Sequence, residues 1–95
     1  MKSFIITGAG SGLGRDLSLL LAEKNYHIIL AGRNEEKLAA VKQEIENRGG
    51  SSDFVELDIR NADDINKKTE ELCKKFQVYG LVNNAGVGHF GHLSK

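Results

Sequence analysis

The chain has 95 residues, 40% hydrophobic and 27% charged, proportions that fit an ordinary folded domain and exclude a disordered chain. Thirteen Lys and Arg balance thirteen Asp and Glu, so the basic excess that a nucleic-acid-coating protein uses to neutralise phosphates is missing. A single cysteine, Cys73, excludes an internal disulfide framework and a cysteine-rich metal site, and no apolar run approaches the roughly 18 residues of a membrane span. The expectation is one domain in a reducing, cytoplasmic setting, with neither nucleic acid nor membrane as partner.

Short apolar runs alternate with stretches of helical period. Phe4-Ile5-Ile6 predicts a first strand, followed by a glycine loop and a helix over about 12–25. Leu13, Leu17, Leu20 and Leu21 fall at i, i+4, i+7 and i+8, which predicts that they form its buried stripe. His27-Ile28-Ile29-Leu30-Ala31 has almost no polar alternation, as expected of a strand covered on both faces. Asn34 reads as the N-cap of a second helix, with Glu35 and Glu36 where the helix dipole favours acids. Leu38, Val41 and Ile45 form its inward face, and Gly49-Gly50 closes it.

Phe54-Val55-Glu56-Leu57 predicts a third strand, and Asn61 caps a third helix that buries Ile65, Leu72 and Phe76. Cys73, beside Leu72, is expected to be a buried, inert thiol. Gly80-Leu81-Val82-Asn83-Asn84 predicts a fourth strand, and Gly86–Lys95 a loop. The order β-α-β-α-β-α-β, with tight connections, predicts a single α/β domain with a Rossmann-type parallel sheet of four strands.

The segment Thr7-Gly8-Ala9-Gly10-Ser11-Gly12-Leu13-Gly14 lies between the first strand and first helix. A helix N-terminus offers unpaired N–H groups and partial positive charge to an anion there. Glycine permits positive φ and close approach of a pyrophosphate. A Walker A loop would need Gly-Lys-Ser/Thr at its end, and no lysine occurs between Lys2 and Lys24. The Gly-x-Gly-x-x-Gly fingerprint also fails, because Leu13 stands at its last glycine. The pattern present is Thr-Gly-x-x-x-Gly-x-Gly, which resembles the glycine motif of the short-chain dehydrogenase/reductase family.

Further segments agree with that resemblance. A dinucleotide site specific for NAD usually has an acid at the end of the second strand, whereas this sequence has Gly32 followed by Arg33. A guanidinium forms strong charge-assisted bonds to a 2′-phosphate, so the position favours NADP(H) over NAD(H). Leu57-Asp58-Ile59 matches the family's segment in which an Asp contacts the adenine amino group and an apolar neighbour flanks the ring. Asn83-Asn84-Ala85-Gly86 resembles the family's Asn-Asn-Ala-Gly at the fourth strand, which braces the sheet and lines the cofactor ribose. The resemblance therefore implies a cofactor site made of Gly8, Gly10, Ser11, Gly12, Leu13, Gly14, Arg33, Asp58, Ile59, Asn84 and Gly86.

Catalysis in the family uses a Tyr-x-x-x-Lys pair, an upstream serine and usually an asparagine. Here Tyr26 is followed four positions on by Leu30, and Tyr79 by Asn83, so neither tyrosine has its lysine and no catalytic residue is assigned. His89-x-x-His92 offers too few ligands for a metal centre. The expectation is the NADP(H)-binding portion of an oxidoreductase over 1–95, truncated relative to the full family fold and missing its C-terminal catalytic part. The parent reaction is carbonyl reduction or alcohol oxidation by hydride transfer. Two alternatives stand beside it: a nonenzymatic dinucleotide-binding or redox-sensing module, and an inactive remnant. An uncovered fourth strand predicts self-association through its edge or by swapped elements, since each exposed Leu or Val forfeits about 1.5–3 kcal/mol of burial.

Overall fold

The structure is a computed structural model that describes residues 2–10, 12–58 and 60–83. Strands β1 (Ser3–Thr7), β2 (His27–Gly32), β3 (Ser51–Glu56) and β4 (Val78–Asn83) alternate with helices α1 (Gly12–Glu23), α2 (Glu35–Asn47) and α3 (Ala62–Lys75). All pairings are parallel, in the order β3-β2-β1-β4. The two inner strands carry the apolar runs: Ile5, Ile6, Ile28, Ile29 and Leu30 are fully buried, each stabilising the fold by about 1.5–3 kcal/mol. Successive residues serve opposite faces. Ile6, Ile28 and Leu30 meet Leu19 and Ala22 of α1 and Leu38, Val41 and Ile45 of α2. Ile5, Ile29 and Ala31 meet Ile65, Leu72 and Phe76 on the other side.

Both predicted caps form. Asn34 Oδ1 accepts from the Lys37 N–H at 3.2 Å and Asn61 Oδ1 from the Asp64 N–H at 3.0 Å. The α2 helix closes through the N–H groups of Gly49 and Gly50, donating to Glu46 O and Ile45 O.

The buried face of α1 keeps half of the expected leucine stripe, since Leu17 and Leu21 pack, partly buried, against the core. Leu13 is 72% exposed and Leu20 49%, whereas Gly14, Ser18, Leu19 and Ala22 are buried. Small residues let this helix lie close to the sheet, and the Ser18 hydroxyl is satisfied by donating to Gly14 O at 2.7 Å. The helix also ends at Glu23, and Asn25 turns the chain at φ 71.

The outer strands start earlier than predicted, at Ser51 and Val78. The early residues of β3 are polar because only β2 pairs with it. His27 secures that end, with Nδ1 2.6 Å from Ser51 Oγ and Nε2 3.1 Å from Asp53 Oδ2. No residue of α3 is fully buried, and Cys73 is exposed on it, contrary to expectation. Its neighbour Leu72 turns to the sheet, so the thiol points away from the line of Ile65, Leu72 and Phe76.

Candidate functional site: the carboxyl edge of the sheet

Because the strands are parallel, their carboxyl ends share one edge. The register aligns Thr7 with both Ala31 and Asn83, and Gly32 with Glu56. The segments leaving this edge are the glycine loop after β1, Arg33-Asn34 after β2 and Leu57-Asp58 after β3. Consecutive strands β1 and β2 are neighbours while β4 lies on the far side of β1, so the strand order reverses at β1, where open α/β sheets bind ligands.

Gly8 and Gly12 adopt φ of 64° and 60°, a region that side chains with a Cβ disfavour. Gly10 is needed for another reason. A Cβ there would sit 2.9 Å from the Lys37 Cβ and 3.7 Å from its Cδ, so the first turn of α2 lies directly against the loop. Ala9 between them is buried and its N–H donates to Ala31 O at 3.4 Å, fastening the loop to β2.

The helix termini differ in charge. The first turns of α2 and α3 hold their own acids, Glu35 and Glu36 in one and Asp63 and Asp64 in the other. The first turn of α1 has none. Its first turn therefore leaves the positive helix end without a carboxylate of its own, a setting that suits an external anion.

Arg33 is exposed in an open groove with Asn34, Glu35, Glu36 and Glu56. Its side chain makes no ion pair or hydrogen bond among the described residues. Asp58 Oδ1 accepts from the Arg60 N–H at 3.0 Å and from Arg60 Nε at 3.2 Å, and the Asp58 N–H donates to Asp64 Oδ2 at 3.2 Å. The Arg60 side-chain bond, then its backbone bond, holds the Asp58 carboxyl below its ordinary value, with a smaller electrostatic pull from Arg33.

Of the predicted residues, the structure brings Gly8, Gly10, Gly12, Leu13, Gly14, Arg33 and Asp58 to this edge. Ser11, Ile59, Asn84 and Gly86 lie outside the described residues, as do His89 and His92. Arg60 and Lys37 were not anticipated. The Asp58-x-Arg60 spacing, which allows an Asp side chain to bond the N–H two residues on, is the signal that would have found the first. Lys37 reaches the loop only through the packing of α2, which no local pattern reveals.

The arrangement fits a dinucleotide: glycines at positive φ, a first turn of α1 without carboxylates, and a guanidinium beyond β2 with no partner among the described residues. The tyrosines are elsewhere. Tyr26 precedes β2 and Tyr79 opens β4 at the amino ends of the strands, where they ring Phe4 at centroid distances of 4.8 and 5.6 Å. Lys2 Nζ lies 4.5 Å over the Tyr79 ring, a contact with its π face that does not reproduce the Tyr-x-x-x-Lys arrangement. Among the described residues no cluster of His, Cys, Asp and Glu could hold a metal ion, and no helix is long and apolar enough to cross a membrane.

The sequence matches the short chain dehydrogenase family over residues 2–95. It is 36% identical over 87 residues to a 3beta-hydroxysteroid dehydrogenase of Mediterraneibacter gnavus, covering 90% of this chain and 32% of that protein. It is 37% identical over 89 residues to the 3-oxoacyl-[acyl-carrier-protein] reductase FabG of Staphylococcus aureus, covering 90% of this chain and 36% of the reductase. The fold is similar to the crystal structure of a metagenomic short-chain oxidoreductase in complex with NADP, with a TM-score of 0.86 and 33% identity over 95% of this chain and 41% of that one. The chain spans about a third of the length of the curated relatives it matches. With the glycine loop, strand order and matched length all in agreement, the chain belongs to the short-chain dehydrogenase family.

Proposed function

We propose that the chain is the NADP(H)-binding portion of a short-chain oxidoreductase, whose parent reaction is hydride transfer in carbonyl reduction or alcohol oxidation. The observation that carries this reading is Arg33, exposed and without an ion pair or hydrogen bond among the described residues, on the same edge as a glycine loop with positive φ at Gly8 and Gly12. The bound dinucleotide would supply the hydride-carrying nicotinamide. The N–H groups at the start of α1 would hold its pyrophosphate, Arg33 its 2′-phosphate, and Asp58 its adenine. Ser11, Ile59, Asn84 and Gly86 belong to the same proposed site on the strength of the family motif. That a related short-chain oxidoreductase was crystallised with NADP supports the choice of cofactor.

Titration with NADPH and NADH, on the native chain and on Arg33→Ala, tests the reading. The native chain should bind NADPH more tightly, and the variant should lose most of that preference. Equal affinities in the native chain would remove the case for 2′-phosphate recognition, and no binding of either would end the dinucleotide reading.

The second reading is a dinucleotide-binding or redox-sensing module without turnover of its own. Neither tyrosine of the 95 residues has a lysine four positions on, and both lie at the opposite end of the strands from the crevice. Tight binding of NADPH with no carbonyl-reductase activity would support it. Self-association belongs to either reading, since Leu81 is exposed on β4, the outermost of the described strands, although Val82, also expected on the open edge, packs against the core. Sedimentation at micromolar concentration should show a species larger than a monomer, and a monomer would refute it. A cytoplasmic setting is part of the same proposal.

A further inference from the structure

Resting on the dinucleotide reading, we propose that Lys37 is a second specificity determinant for the 2′-phosphate, acting beside Arg33 from the first turn of α2. Its stem lies along the glycine loop, with Cβ 2.9 Å and Cδ 3.7 Å from where a Gly10 Cβ would be. Its ammonium forms no ion pair or hydrogen bond among the described residues. The backbone beneath it is fixed, because its N–H donates to the Asn34 cap at 3.2 Å.

The surrounding charge explains why a second cation is needed. Arg33 shares its groove with Glu35, Glu36 and Glu56. One guanidinium among that many carboxylates leaves an environment that repels a phosphate dianion. Lys37 follows Glu36 directly, and with its stem against Gly10 it can bring its positive charge to the loop side of the groove. Helix stability does not account for it, since a cation in the first turn opposes the helix dipole. A residue that violates a local preference, with its side chain laid against the glycine loop, points to a role in the site.

The test titrates the native chain, Lys37→Met and Lys37→Arg with NADPH, NADH and adenosine 2′,5′-bisphosphate, with a thermal melt of each variant. Lys37→Met should weaken NADPH and the bisphosphate by about fivefold to tenfold more than NADH, the scale of one exposed charge-assisted contact. Lys37→Arg should retain most of the preference. The excess loss should shrink as salt rises, because an exposed pair is screened, while the melting temperature of Lys37→Met should not fall. If the native chain prefers NADPH and Lys37→Met leaves the ratio to NADH unchanged, the role of Lys37 is refuted while the dinucleotide reading survives. A native chain that binds both cofactors equally also refutes it, and one that binds neither overturns both.

Discussion

The glycine loop contains two kinds of required glycine, and substitution can tell them apart. At Gly12 the requirement is conformational: φ is +60 and nothing lies within 4 Å of an added Cβ. Alanine there incurs the left-handed penalty of about 1–2 kcal/mol, offset in part by the lower entropy of the unfolded chain. At Gly10 the requirement is steric. An added Cβ would lie 2.9 Å from the Lys37 Cβ, against 3.4–4 Å for ordinary contact. That Cβ is fixed to the backbone of α2, so the helix start must give by at least several tenths of an ångström. Overpacking of this kind costs about 1–3 kcal/mol. For a domain of this size each kcal/mol lowers the melting temperature by about 4–8 °C, which circular dichroism resolves easily. The decisive comparison uses asparagine, which tolerates left-handed φ but is larger than alanine. Gly12→Asn should be more stable than Gly12→Ala, whereas Gly10→Asn should be less stable than Gly10→Ala. The same order at both positions would refute the separation of the two roles.

Two further predictions concern packing and charge. Leu19→Ala should destabilise the fold by about 2–4 kcal/mol, as for a buried leucine, while Leu20→Ala should cost about 1 kcal/mol or less. Comparable losses would mean that α1 faces the sheet differently. The Asp58 carboxyl should titrate below 3.8 because Arg60 bonds its charged form, and Arg60→Met should bring it back toward that value, as read by carboxyl NMR. The sign follows from linkage: a depressed folded-state value gives stability that is present above the unfolded value and lost as pH falls through the folded one. A native Asp58 that titrates at or above 3.8 would contradict the arrangement.

The fold was legible wherever one physical cause dominated. Ile28, Ile29 and Leu30 announce a strand covered on both faces, and Asn34 and Asn61 announce helix starts because each side chain satisfies an N–H three residues on. The face of α1 was only half legible: Leu17 and Leu21 pack against the core, but Leu13 and Leu20 do not. Leucine at 17, 19, 20 and 21 lets several stripes compete, and the face that packs is chosen by how closely Gly14, Ser18 and Ala22 allow the helix to approach. The start of β3 was hidden for the opposite reason: an outer strand needs few apolar residues, so Ser51, Ser52 and Asp53 do not read as β structure. Around the proposed site, the positive φ of Gly8 and Gly12 and the place of Arg33 after β2 could be read from spacing, because backbone conformation and strand ends are local. The contacts of Arg60 with Asp58 and of Lys37 with Gly10 depend on how segments pack, and spacing alone carries little of that.

The central claim, that the loop after β1 presents its N–H groups to a pyrophosphate, is tested most directly by amide NMR during titration with NADPH. The signals of Gly8, Gly10, Gly12 and Gly14 should move together and saturate with the same affinity as Arg33, while those of Tyr26 and Tyr79 at the opposite ends of the strands stay in place. Glycine-loop signals that remain unmoved at saturating NADPH, or shifts confined to the tyrosine end, would contradict it.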